Sequence, residues 1–113
     1  MIERGTIWWA YLGDPRGAEP GFRRPILIVQ ADAFNRSRIQ TVIAVVLTTN
    51  IRVLDAPGNV LVPARVSGLR KNSVANVSQV ITVDRGDLQE PAGRLDAATL
   101  RRVDAGLRLV LNL

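Results

Sequence analysis

Arg24 and Thr48 are the residues of this 113-residue chain whose types and spacing best support chemistry. Each stands at the end of an apolar run. Arg23 and Arg24 precede PILIVQ, residues 25–30, while Thr48, Thr49 and Asn50 follow TVIAVVL, residues 41–47. Antiparallel strands built from these runs bring Arg24 and Thr48 to one edge of a sheet. A guanidinium gives a phosphate bidentate, charge-assisted hydrogen bonds, and a hydroxyl or backbone N–H adds a further donor. Cleavage of RNA by its own 2′-OH needs such a site. The protein fixes the in-line geometry, stabilises the extra negative charge, accepts one proton and delivers another. Plainer readings stand beside this one. Arg24 could be a loop arginine paired with Glu19 or Asp14, and Thr48 a turn residue at a strand end.

Composition narrows the choices. One domain spanning residues 1–113 fits the length, and 47% hydrophobic residues supply one core. Lys+Arg is 15 against Asp+Glu 10, a formal net charge of +5, which favours an acidic partner such as nucleic acid. Lys71 is the only lysine. Arginine suits phosphate, but arginine usage also follows codon bias, so the position of each arginine says more than their number. The chain has no Cys and no His. That removes disulfides, thiolate chemistry, cysteine zinc sites and the usual general base near neutral pH. No apolar stretch approaches the ~18 residues of a membrane span, and no signal peptide opens the chain, so a soluble cytoplasmic protein is expected.

Several elements must position these groups. GTIWWAYL, residues 5–12, reads as a strand, with Trp8 and Trp9 on opposite faces. One of them is core; the other is free to stack on a base or fill a subunit interface. Residues 13–24 carry three Gly and two Pro and read as a long loop, the kind that often carries function. Pro25 is expected to begin the next strand. Residues 31–38 suggest a helical turn, and 40–47 a second strand, either covered on both faces or central in a strongly curved sheet. DAPGN at 55–59 is a turn, NVLVPA at 59–64 a strand, and 72–83 suggest short strands with a bend. Asp84 is expected to start a short helix stopped by Pro91 and Gly93. The last segment is the one clear helix, capped by Asp96, with Leu100, Val103, Leu107, Val110 and Leu111 on one face. Gly106 either weakens it or allows close backbone packing. Strands first and a helix last give a small α+β domain, mainly β, and closing the sheet as a barrel hides its edges.

The order of these segments resembles the MazF/PemK family of toxin endoribonucleases over essentially the whole chain. RGTIWWAYLGD resembles the opening RGxIWxxxL strand, and GAEPGFRRPILIVQ the G-S-E-x-G-x-R-P segment. FNRS and TVIAVVLTTN resemble the following turn and strand, and LRKNSVANVSQVITVDRGDL the L-x-x-D-S-V…Q-I-x-T segment. The resemblance implies an SH3-like β-barrel of MazF/CcdB/Kid type, assembled as a homodimer. It implies sequence-specific cleavage of single-stranded RNA without metal or cofactor, leaving 2′,3′-cyclic phosphate and 5′-OH ends. It also implies a MazE-like antitoxin whose flexible, often acidic C-terminal segment occupies the RNA groove. Matched residue by residue, Arg24 and Thr48 take the catalytic positions and Glu19 a supporting one. Arg23, Thr49, Ser73, Asn76 and Gln79 fall at or near the RNA groove.

Two departures from the family pattern bear on specificity and rate: Ala18 stands where Ser is usual, and Arg23 adds a second arginine before Pro25. Two other functions remain compatible with the fold. A CcdB-type gyrase poison depends on a C-terminal tryptophan, whereas this chain ends LVLNL. A catalytically silent module binding RNA or peptide is the other.

Overall fold

The computed structural model describes residues 1–113. Its strands are β1 (Thr6–Tyr11), β2 (Arg23–Ile28), β3 (Thr41–Thr48), β4 (Val60–Val62), β5 (Ser73–Asp84) and β6 (Leu88–Arg94). Helices α1 (Asp32–Asn35) and α2 (Ala64–Ser67) are single turns, and α3 (Ala97–Leu111) is the long one. 3₁₀ turns cover Ile51–Asp55 and Arg85–Asp87. The strands form one antiparallel sheet in the order β4-β5-β3-β2-β1-β6, curled into a half-barrel. The mainly β, barrel-type fold expected from the sequence is found, but the sheet keeps β4 and β6 as edges rather than closing on itself.

The apolar runs show no polar alternation because both faces of the central strands are covered. On one face Ile7, Leu27, Val45 and Leu47 pack with Val60, Val62, Val77 and Val103 of α3. The alternate residues Ile26, Ile28, Val42, Ala44 and Val46 form a second cluster with Ala10 and Val83. At ~1.5–3 kcal/mol for each fully buried aliphatic side chain, these two clusters dominate the stabilisation of the sheet.

The bend expected in 72–83 is a break in register within one strand. Val45 faces Val80, but Val46 faces Asn76, so Val77, Ser78 and Gln79 are extra residues on β5. Beyond the bend the first part of β5 pairs on both sides, with Ala75 opposite Leu47 of β3 and opposite Val60 of β4.

Three expectations need correction. Residues 84–93 hold only the Arg85–Asp87 turn and then β6, not a helix stopped by Pro91. β6 is an edge strand paired only with β1, and an edge tolerates a proline that a central strand would not. β2 begins at Arg23, so both arginines lie in the strand and Pro25 is its third residue. Val110 and Leu111 complete the apolar stripe of α3, but they are 43% and 53% exposed, uncovered by this chain.

The start of α3 is as expected. The Asp96 carboxylate accepts hydrogen bonds from the Thr99 N–H and hydroxyl. Gly106 is required for packing: a Cβ there would strike the Gly58 carbonyl. No helix is long and apolar enough to cross a membrane.

Candidate active site

Pairing of β2 with β3 places Ile26 opposite Val46, Leu27 opposite Val45 and Ile28 opposite Ala44. The same register continued to the strand ends sets Arg24 opposite Thr48. Both line a cavity of about 590 Å³ that also takes in Arg23, Thr49 and Ser73. Five of the eight expected site residues thus meet in one place. Trp9, Arg70 and Lys71 complete its polar and aromatic wall.

Arg24 is half-buried, and its Nε donates to the Gly21 carbonyl at 3.3 Å. No carboxylate pairs with it: the ion pairs of the chain are Arg4–Asp104, Arg23–Glu90 and Arg94–Glu3. The reading of Arg24 as a loop arginine tied to Glu19 or Asp14 therefore fails. For Thr48 both readings hold together. Its Oγ1 accepts the Asn50 N–H at 3.1 Å, which shapes the turn, and its hydroxyl proton stays available to a ligand. Asn50 in turn accepts from the Arg52 N–H and starts the 3₁₀ turn at Ile51.

Ser73 is fully buried at the first position of β5, and its Oγ has no hydrogen-bond partner. Leaving such a group unpaired costs about 1–3 kcal/mol, so the cavity wall is one partner short. The loop before it is held by Asn72, whose side chain accepts the Ala64 N–H at the start of α2. That loop carries Arg70 and Lys71, both exposed. The sequence reading missed these two. The signal was the pair of adjacent cations ahead of Ser73 in LRKNS.

Phe22 sits directly before the two arginines with φ 58°, in the left-handed region that a bulky residue rarely adopts. Its N–H donates to Gly13 and its carbonyl accepts from Leu12, closing the β1–β2 loop at its base. Backbone strain of this kind collects beside functional groups.

Three expected residues lie elsewhere. Glu19 and Gln79 line a separate groove of about 1070 Å³ with Tyr11, Arg16, Asp84 and Asp87. Gln79 Nε2 donates to the Ala18 carbonyl there at 3.4 Å. Asn76 lines neither space. Its Oδ1 accepts from Asn59 Nδ2 and from the Ser78 hydroxyl, inside a network that braces the bend of β5. No three His, Cys, Asp or Glu side chains gather in a group that could hold a metal ion.

Residues 3–111 match the family model of PemK-like, MazF-like toxins of type II toxin–antitoxin systems. Endoribonuclease MazF6 of Mycobacterium tuberculosis is 44% identical over 113 residues, covering 100% of this chain and 99% of that protein. Endoribonuclease EndoA of Bacillus subtilis is 31% identical, covering 100% and 97%. A mycobacterial endoribonuclease solved in complex with its cognate antitoxin superposes with a TM-score of 0.81 at 26% identity, covering 100% of this chain and 97% of that one. MazF of Deinococcus radiodurans shares the fold, with a TM-score of 0.82 at 24% identity and coverage of 99% and 97%. With matches that run nearly end to end, the chain belongs to the PemK-like, MazF-like family of toxins of type II toxin–antitoxin systems.

Proposed function

We propose that this chain is a sequence-specific endoribonuclease that cuts single-stranded RNA in the cytoplasm without a metal ion. The observation that carries the reading is the cavity that joins Arg24 to Thr48 and is lined by no carboxylate. In the proposed reaction the RNA 2′-oxygen attacks the adjacent phosphorus as its proton leaves. The bond from phosphorus to the 5′-oxygen breaks, and that oxygen takes up a proton. The products are a 2′,3′-cyclic phosphate and a 5′-OH.

Arg24 clamps the non-bridging oxygens as negative charge builds, and Thr48 adds a hydroxyl donor. Because arginine stays protonated at neutral pH, Arg24 serves as clamp and proton donor rather than as base. Thr49 supplies a further donor to the backbone; the unpartnered Ser73 hydroxyl is buried in this structure and can donate only once RNA binding shifts the wall to expose it. Arg70 and Lys71 hold neighbouring phosphates. Glu19 lies on the groove side of the loop, away from the cavity, so a water or a phosphate oxygen is the proton acceptor in this reading.

The same charge suits an antitoxin with a flexible acidic segment, which would compete with RNA for this cavity. A homodimer is supported by the uncovered end of α3, where Leu109, Val110, Leu111 and Leu113 are 43–85% exposed. The experiment is cleavage of a long single-stranded RNA by purified protein in excess EDTA, with analysis of the new ends. Sequence-restricted cuts bearing 5′-OH ends are expected. Intact RNA after incubation with folded protein would move the reading to a gyrase poison or a silent binding module.

A further inference from the structure

Arg23 lines the same cavity as Arg24, but its guanidinium is not free to grip a phosphate with its fork. Its Nε donates to Gln89 Oε1 at 2.7 Å, and its Nη2 pairs with the Glu90 carboxylate. Its Cζ lies over the Trp9 ring, 4.4 Å from the centroid. The sheet produces this arrangement. Tyr11 faces Arg23 and Trp9 faces Pro25 across β1 and β2, while Trp9 faces Glu90 across β1 and β6. Residues directly opposite share a face, so Glu90, Trp9 and Arg23 project together, with Arg23 diagonal to Trp9. Two donors of the guanidinium are engaged and the indole backs it. Even so, 44% of the side chain is exposed. The indole lies against the cation, and the exposed part of the side chain is left for a ligand.

We propose that Trp9 and Arg23 form a nucleobase platform: an RNA base next to the scissile phosphate stacks on the outer side of the Arg23 guanidinium. The inference rests on the RNA-cleaving reading above and deepens it by naming a residue that holds a base beside the cut. Unstacked RNA bases are held on arginine planes and aromatic faces alike. Gln89, Glu90 and Trp9 hold Arg23 in place before RNA arrives, so little side-chain freedom is lost on binding. Recognition by stacking tolerates different bases and penalises a missing one. It also separates the two neighbouring arginines by role: Arg24 takes the phosphate and Arg23 the base beside it.

The test uses the RNA oligonucleotide spanning a cut mapped with the wild-type protein. Nucleotides flanking the cut are replaced one at a time by 2-aminopurine, whose fluorescence falls on stacking, and in a second series by an abasic residue. Fluorescence is read with Thr48→Ala protein so that the RNA stays intact. Quenching is expected at one position, and adding Arg23→Lys, which keeps the charge without the plane, should abolish it. An abasic residue at that position should raise KM about tenfold for the wild type and have little effect on Arg23→Lys. Quenching and an abasic penalty that survive Arg23→Lys would overturn the platform while leaving the nuclease reading intact. Failure of the wild type to cut any RNA would remove the nuclease reading, and the platform with it.

Discussion

The β1–β2 loop and the strand ends beside it border two spaces of opposite character. Residues 21–25 help line the cavity of Arg24 and Thr48, and residues 11–20 help line the groove of Glu19 and Gln79. The groove is the larger, about 1070 Å³ against about 590 Å³. Its charged lining is Glu19, Asp84 and Asp87 against Arg16, whereas the cavity presents Arg24, Arg70 and Lys71, with Arg23 paired to Glu90. A polyanion is drawn to the smaller space, because phosphate contacts dominate nucleic-acid affinity. Size alone would select the groove, whereas charge favours the cavity for the proposed RNA substrate.

That contrast can be broken at the cavity. Thr48→Ala is expected to slow single-turnover cleavage by ~10² or more, the usual cost of removing a preorganised donor. Ser73→Ala is expected to slow cleavage by up to about tenfold, a hydrogen bond's worth. Its melting temperature should be unchanged or raised, since the substitution removes an unpaired buried hydroxyl. A Ser73→Ala protein that loses stability and keeps its rate would make Ser73 structural.

Charge sharpens the contrast further. Arg70→Ala and Lys71→Ala are each expected to lower the slope of log affinity against log salt by about one. Asp84→Asn and Asp87→Asn, in the groove, should leave that slope unchanged. Titration of RNA binding at several salt concentrations with a non-cleaving variant reads both.

The smallest effect lies outside both spaces. Asp32 accepts hydrogen bonds from the Arg4 N–H and from Asn35, and these hold its carboxyl below the usual aspartate range. The Thr99 hydroxyl, with the Thr99 N–H, does the same for Asp96. A carboxyl whose pKa is lower in the folded state adds stability above its unfolded value of 3.8. That stability is lost as pH falls through 3.8 towards the folded values. Thermal melts between pH 3 and 6 should show Asp96→Ala with a lower melting temperature at pH 6 and a shallower loss on acidification.

Much of this arrangement was legible because the candidate residues Arg24 and Thr48 sit at the ends of uninterrupted apolar runs. Runs 25–30 and 41–47 leave little choice but adjacent central strands, and their antiparallel pairing sets Arg24 against Thr48. Asp96, as an N-cap, marked the start of α3. What was hidden depends on the third dimension. Pro91 and Gly93 look like breakers, yet an edge strand with one neighbour accepts both, and a Cβ at Gly93 would strike the Ser67 carbonyl. Arg70 and Lys71 reach the cavity because Gly68 turns left-handed at φ 77° against the carbonyl of Ala92. Glu19 is five residues from Arg24 in sequence, but positive φ at Gly17 and Phe22 lies on either side of it, and the loop carries it towards β5.

The most direct test of the central claim is single-turnover cleavage of one mapped RNA by wild type, Arg24→Ala and Glu19→Gln in excess EDTA. If the cavity is the catalytic site, Arg24→Ala loses ~10²–10³ or more in rate, while Glu19→Gln stays within about tenfold of wild type. A well-folded Arg24→Ala protein that cuts at the wild-type rate, or a larger loss in Glu19→Gln than in Arg24→Ala, would place the chemistry in the groove and contradict the account.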